Sequence, residues 1–264
     1  QATVMTRLPV PVRRFKVLAD GAAVVFEAAT FPDLDADFAA VQARLEQQRA
    51  DPTQAKISET RILRYWDQYL TDGRVPHLFR LELASGTIAD LTPGFDRVTG
   101  LDGFEWDASS DGGSLVYSAN STPAPYRQLD FNLYLRTMAD GSERNLTADN
   151  PADDVQPRFA PDGRSIAYGR YVRPAVGSDF RRLSILDLDT GARRDLPRPL
   201  ASHASDWRFD DSGARLYFHS ERGGESELFV WRGNSVRRLD RGGTTEGVQR
   251  SEERRVGKEC RSRW

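Results

Sequence analysis

One short pattern recurs along this chain at a nearly constant interval: a tight glycine turn with an apolar run on each side. It reads Trp106-Asp-Ala-Ser-Ser-Asp-Gly112-Gly-Ser-Leu-Val-Tyr-Ser118, then Pro157-Arg-Phe-Ala-Pro-Asp-Gly163-Arg-Ser-Ile-Ala-Tyr-Gly169, then Trp207-Arg-Phe-Asp-Asp-Ser-Gly213-Ala-Arg-Leu-Tyr-Phe-His219. The turn glycines lie 51 and 50 residues apart. A weaker first copy runs from Phe15 through Gly21 to Glu27. A repeat of this length is one supersecondary unit that cannot bury its own apolar face, so neighbouring units must stack.

A second element follows each copy. His77-Leu-Phe-Arg-Leu-Glu-Leu83 precedes Gly86, Asn132 to Met138 precedes Gly141, Arg182 to Leu188 precedes Gly191, and Glu227 to Trp231 precedes Gly233 and Asn234. Apolar residues alternate along these runs, as on a half-buried strand, and the glycines mark hairpin turns. Each unit thus supplies about four short strands. The expected fold class is all-β: a partial β-propeller of about four four-stranded blades. A β-sandwich would not repeat one motif four times, and the coils of a linear solenoid are shorter.

Gly21 and Gly112 are 91 residues apart, and the excess lies at about 33–59. Phe38, Val41 and Leu45 have helical spacing, Asp35 is the expected N-cap, and Asp51-Pro52 ends the pattern. This predicts a short helical insertion in the first blade region, acting either as surface decoration or as a lid.

The last fifteen residues, Arg250 to Trp264, read as one frame of a common short-read sequencing adapter. They are expected to be no domain, leaving residues 1–249 as propeller and the natural sequence after Gln249 unknown. Excluding them removes the one cysteine, Cys260, and with it any disulfide, thiol nucleophile or thiolate metal site. It also shifts the net charge from −2 to about −5, with no electrostatic footprint for nucleic acid. No apolar run has the length of a membrane span. Gln1 is not a start methionine, so a leader peptide cannot be judged.

Candidate chemistry is sparse, and no catalytic, cofactor-binding or metal-binding residue is assigned. A nucleophile elbow needs Gly-x-Ser-x-Gly at a strand-to-helix turn. Ser165, Ser226 and Ser235 each lack the final glycine and fall in predicted hairpins. His77 and His219 fall on strands and His203 at a blade junction, with no metal-ligand spacing between them. The acids Asp33, Asp35 and Asp37, and Asp187 with Asp189, do not meet the EF-hand pattern, and capping and turn solvation account for them. Asn120-Ser-Thr122 and Asn145-Leu-Thr147 match glycosylation sequons, read as empty matches. Arg61, Arg64, Trp66, Asp67 and Tyr69 form the densest polar and aromatic cluster, read first as a blade strand.

Phe159-Ala-Pro-Asp-Gly-Arg-Ser-Ile-Ala-Tyr168 resembles the repeat shared by translocation-type propellers and by serine peptidases of the prolyl oligopeptidase family. Five further stretches occur in the family's order: Arg7 to Phe15, Val24 to Asp33, Arg61-Ile-Leu-Arg-Tyr-Trp-Asp-Gln-Tyr-Leu-Thr-Asp-Gly73, His77-Leu-Phe79, and Asp90-Leu-Thr-Pro-Gly94. Over about residues 7–245 the chain resembles the N-terminal propeller of bacterial acylaminoacyl-peptidase or dipeptidyl-aminopeptidase-like members. Many of these carry cysteines in the stretch matching Phe31 to Phe38, where this chain has none.

The resemblance implies a propeller that gates peptide access to a following α/β-hydrolase domain, with no cofactor and with a peptide substrate as partner. It allows Asp67 or an acid of the insert to meet a substrate amine. It is compatible with a periplasmic or a cytoplasmic bacterial parent, the periplasm being favoured. The alternative is a translocation-type binding module that serves as a protein-interaction platform. Four blades without ring closure would leave two sheet faces open, so the chain is expected to aggregate or to unfold with poor cooperativity.

Overall fold

The structure is a computed structural model that describes residues 4–53, 59, 62, 64–65, 68–69, 72–100, 103–126, 128–174, 179–197, 204–240 and 244–245. In chain order it forms β1 (Val12–Val17), β2 (Ala23–Thr30), α1 (Phe38–Ala50), β3 (Arg64–Tyr65), β4 (Gln68–Tyr69), β5 (Val75–Glu82) and β6 (Ile88–Asp90). Strands β1, β2, β5 and β6 pair in that order as blade 1, and β3 pairs with β4 as a separate two-stranded ribbon.

Blade 2 holds β7 (Trp106–Ala108), β8 (Ser114–Asn120), β9 (Phe131–Thr137) and β10 (Glu143–Asn145). Blade 3 holds β11 (Asp154–Phe159), β12 (Ser165–Arg170), β13 (Arg182–Asp187) and β14 (Arg193–Asp195). Blade 4 holds β15 (Ala204–Phe209), β16 (Leu216–Arg222), β17 (Glu225–Arg232) and β18 (Ser235–Arg238). The expected partial propeller of four antiparallel four-stranded blades is therefore what forms. The turn glycines Gly112, Gly163 and Gly213 sit at φ +70°, +70° and +69°, a region a Cβ disfavours, and this fixes the glycine in the repeat.

The apolar core lies between blades. Leu18, Val25 and Leu78 of blade 1 meet Trp106, Leu115 and Tyr117 of blade 2. Val116 and Leu133 of blade 2 meet Phe159, Ile166 and Tyr168 of blade 3. Ala167 and Leu183 of blade 3 meet Trp207, Phe218 and Phe229 of blade 4. Gly169 allows the last contact to close, because a Cβ there would come within 2.9 Å of the Trp207 ring.

The insert corrects one expectation. Asp37, not Asp35, caps α1: its side chain accepts from the Ala40 main-chain N at 2.9 Å. Asp35 lies in the preceding turn at φ +45°. The helix packs one apolar stripe on the blade. Val41, fully buried, packs with Phe26 and Phe79 on the face of blade 1 turned away from blade 2, so that face is partly covered rather than open.

Candidate functional site

The first strands of blades 1, 3 and 4 carry an irregularity at the same place. Pairing shifts register between Val12 and Phe15, between Val155 and Arg158, and between Ser205 and Arg208. Gln156 and Asp206 adopt φ +53° and +50° at these shifts. A bulge of this kind bends its strand and re-aims side chains. In blade 2 the bulge position is replaced by the excursion through Gly100 and Gly103, ending at Glu105 before β7.

The four first strands thereby line one cleft of about 1050 Å³. Arg14, Glu105, Gln156 and Asp206, each seven residues before a turn glycine, all face it, with Arg158 and Arg181 beside them. Main-chain and ring donors hold the acids in place. The Gln156 main-chain N donates to Glu105 Oε2 at 2.8 Å, and Trp106 Nε1 donates to Glu27 Oε2 at 3.4 Å. The Phe131 main-chain N donates to Asp153 Oδ1 at 3.0 Å.

Burial raises the carboxyl pKa of Glu27, Glu105 and Asp153, because the charged form loses water it cannot replace. It lowers that of the Arg158 guanidinium for the same reason, with Arg14 and Arg208 adding repulsion. The cleft is thus a mixed-charge surface on which several of the charged groups are partly desolvated.

Sequence reading did not single out this surface. The available signal was the count back from each turn glycine, which places Arg14, Glu105, Gln156 and Asp206 in register. The residue types at that position differ, so a search for recurring identities passes over it.

The residues that were singled out lie elsewhere. His77 on β5 is fully buried, with Nδ1 2.7 Å from Asp90 Oδ2 and Nε2 2.9 Å from Phe95 O, so it braces blade 1. His219 on β16 is also buried and lies 3.8 Å from Asp206. Ser165 opens β12, Ser226 lies in β17 and Ser235 opens β18, none at a strand-to-helix turn.

Asp33 makes a paired contact with Arg44 at 2.8 Å, and Asp187 accepts from the main-chain N of Asp189 and Thr190 within its hairpin. Among the described residues no group of three or more His, Cys, Asp or Glu could hold a metal ion. No described helix is long and apolar enough to cross a membrane. Asn120 is buried and bonded to Thr122, closing that sequon to a glycan. Arg64 is exposed on β3, and the structure describes only the backbone of Tyr69. Arg61, Trp66, Asp67, His203 and the tail from Arg250 lie outside the described residues.

Comparison with known proteins places this architecture. No family model matches the chain. Over 198 residues it is 27% identical to dipeptidyl-peptidase 5 of Porphyromonas gingivalis, a stretch that takes in 69% of this chain and 27% of that protein. Among solved structures, the acylaminoacyl peptidase of Pyrococcus horikoshii superposes with a TM-score of 0.59 at 14% identity, covering 88% of this chain and 32% of that one. A putative TolB from Agrobacterium tumefaciens superposes with a TM-score of 0.55 at 16% identity, covering 91% and 65%. The two structural matches speak to the propeller fold, and the sequence match speaks to kinship. The chain spans about a quarter of the curated relative it matches. It is a β-propeller segment similar in sequence to part of dipeptidyl-peptidase 5 and in fold to part of an acylaminoacyl peptidase.

Proposed function

We propose that this propeller serves a serine peptidase by admitting peptides to an α/β-hydrolase domain encoded beyond residue 249, and that it has no hydrolytic activity alone. Residues 1–249 would be the propeller and 250–264 no part of it. The observation that carries this reading is the 198-residue relationship to dipeptidyl-peptidase 5. The polar, partly desolvated cleft between the four first strands supports it, since a gate must pass a peptide backbone without reacting with it. The absence of Gly-x-Ser-x-Gly from the sequence agrees.

The test is the genomic reading frame after the Gln249 codon. A hydrolase domain with Gly-x-Ser-x-Gly is expected, and joining it to this propeller should give peptidase activity that its Ser→Ala variant lacks. A second reading is favoured by the extent of the match to the putative TolB, which covers 65% of that structure. In that reading the propeller is an interaction platform, and the frame would end after further blades with no hydrolase.

A further inference from the structure

Two guanidinium groups from different blades meet at one main-chain oxygen. Arg14 Nη2 donates to Trp106 O at 3.3 Å, and Arg158 Nη1 donates to the same oxygen at 3.2 Å. Their other bonds also end on carbonyls: Arg14 Nη1 on Phe104 O at 3.2 Å, and Arg158 Nη1 on Pro157 O at 2.8 Å. Arg181 stands at the same cleft, its Nε on Ala204 O at 2.9 Å.

A carbonyl offers only a partial charge, so these bonds orient the guanidinium groups without neutralising them. The acids nearby make their hydrogen bonds to other donors, while Asp107 and Glu105 attract Arg158 and Glu27 attracts Arg14 through space. Asp107 takes Lys16 Nζ at 2.7 Å and the Phe159 main-chain N at 2.9 Å. Glu105 and Glu27 take the Gln156 and Trp106 donors described above. Arg14 repels Arg158 across this oxygen, and a carboxylate between them would accept a charge-assisted bond from each. Arg158 Nη2 and Arg14 Nε make no hydrogen bond among the described residues and remain to donate.

We propose that the cleft holds a carboxylate-binding site formed by Arg14 and Arg158, with Arg181 as its flank. The carboxylate is that of a peptide, either its C-terminus or an acidic side chain. The peptide part of this assignment rests on the proposed gating function, and the charge chemistry does not.

The test is calorimetric titration of this chain with four probes: glutarate, a neutral pentapeptide with a free C-terminus, the same peptide amidated, and the amidated peptide with one Asp. The free acid or the Asp peptide should bind at least about tenfold more tightly than the neutral amide, as expected for a charge-assisted pair, and whichever gains identifies the source. Arg14→Gln and Arg158→Gln should each remove that gain, while Arg164→Gln, on an exposed turn away from the cleft, should not. Arg14 is exposed, so its variant remains informative if Arg158→Gln fails to fold.

Glutarate binding that Arg14→Gln abolishes, with no peptide bound, would keep the site and remove the gating reading. Binding equal for all the peptides and no binding of glutarate would overturn the site. So would a gain that survives Arg14→Gln.

Discussion

Phe15 and Trp106 hold the same place in successive blades, six residues before the turn glycine, yet Phe15 is 69% exposed and Trp106 only 2%. Trp106 packs against blade 1, while Phe15 has no blade in front of it. Val12 and Val17 share the face of Phe15, and with it they make an exposed apolar strip beside the part that α1 covers. Phe15→Ser is therefore expected to change unfolding free energy by less than about 0.5 kcal/mol and to reduce self-association. Trp106→Ala should cost about 3–5 kcal/mol. Urea unfolding with light scattering checks both, and equal losses from the two substitutions would contradict the assignment of Phe15 to an open face.

Asp107 joins three blades. Its side chain, in blade 2, receives Lys16 of blade 1 on one oxygen and the Phe159 main-chain N of blade 3 on the other. Removing it leaves the Phe159 donor buried and unsatisfied. Asp107→Ala should destabilise by about 2–4 kcal/mol, and Asp107→Asn by less, since the amide oxygen can still accept one of the two bonds. Lys16→Met should cost no more than about 1 kcal/mol, because the lysine is partly exposed. A larger loss from Lys16→Met than from Asp107→Ala would show that the bond to Phe159 contributes little.

Asp154 sets a pH dependence. Burial pushes its carboxyl up to about 7 from an ordinary 3.8, with hydrogen bonds from Thr147 and Asn150 offsetting part of the rise. Between those values the folded chain keeps a proton that the unfolded chain has released. The stability tied to that proton is complete below about 3.8 and is lost as pH rises through about 7. Asp154→Asn should remove this component. The fall in unfolding free energy between pH 5 and pH 8 should then be smaller in the variant by on the order of a few kcal/mol. Parallel pH curves for parent and variant would rule it out. Glu27 and Glu105 act with the same sign, so the comparison must be between parent and variant rather than on the parent alone.

Helix α1 depends on its cap and on one buried valine. Asp37→Ala should cost about 1 kcal/mol through loss of the bond to Ala40. Val41→Ala should cost about 1–3 kcal/mol through the cavity left against Phe26 and Phe79. Under the first N-cap expectation, Asp35→Ala would lose more helix content than Asp37→Ala. Circular dichroism should instead show Asp37→Ala reducing helix signal more than Asp35→Ala does.

The blades were legible because a turn that forces positive φ admits few residues, so Gly112, Gly163 and Gly213 survive as markers in the sequence. The helix was legible from Phe38, Val41 and Leu45. Its start was displaced by two residues, since Asp35 and Asp37 are equally good caps by type and only the chain's path chooses between them. The cleft was not legible. Arg14, Glu105, Gln156 and Asp206 share a position but not a chemistry, and bulges in three blades and an excursion in the fourth that turn four unlike side chains to one cleft leave no recurring letter. The cover over blade 1 was also hidden, because where a helix folds back depends on the sheet face it finds, not on its own spacing.

The bulges at Gln156 and Asp206 stand at one fixed count from their turn glycines. Adding or losing a single residue inside a first strand, between bulge and turn, would flip its pointing pattern. Groups that now reach the axis would be pressed into the hydrophobic seam of the adjoining blade. Length variation among kin should therefore collect in outer hairpins and in excursions such as the one bearing α1, leaving this eight-residue stretch constant in span while free in composition.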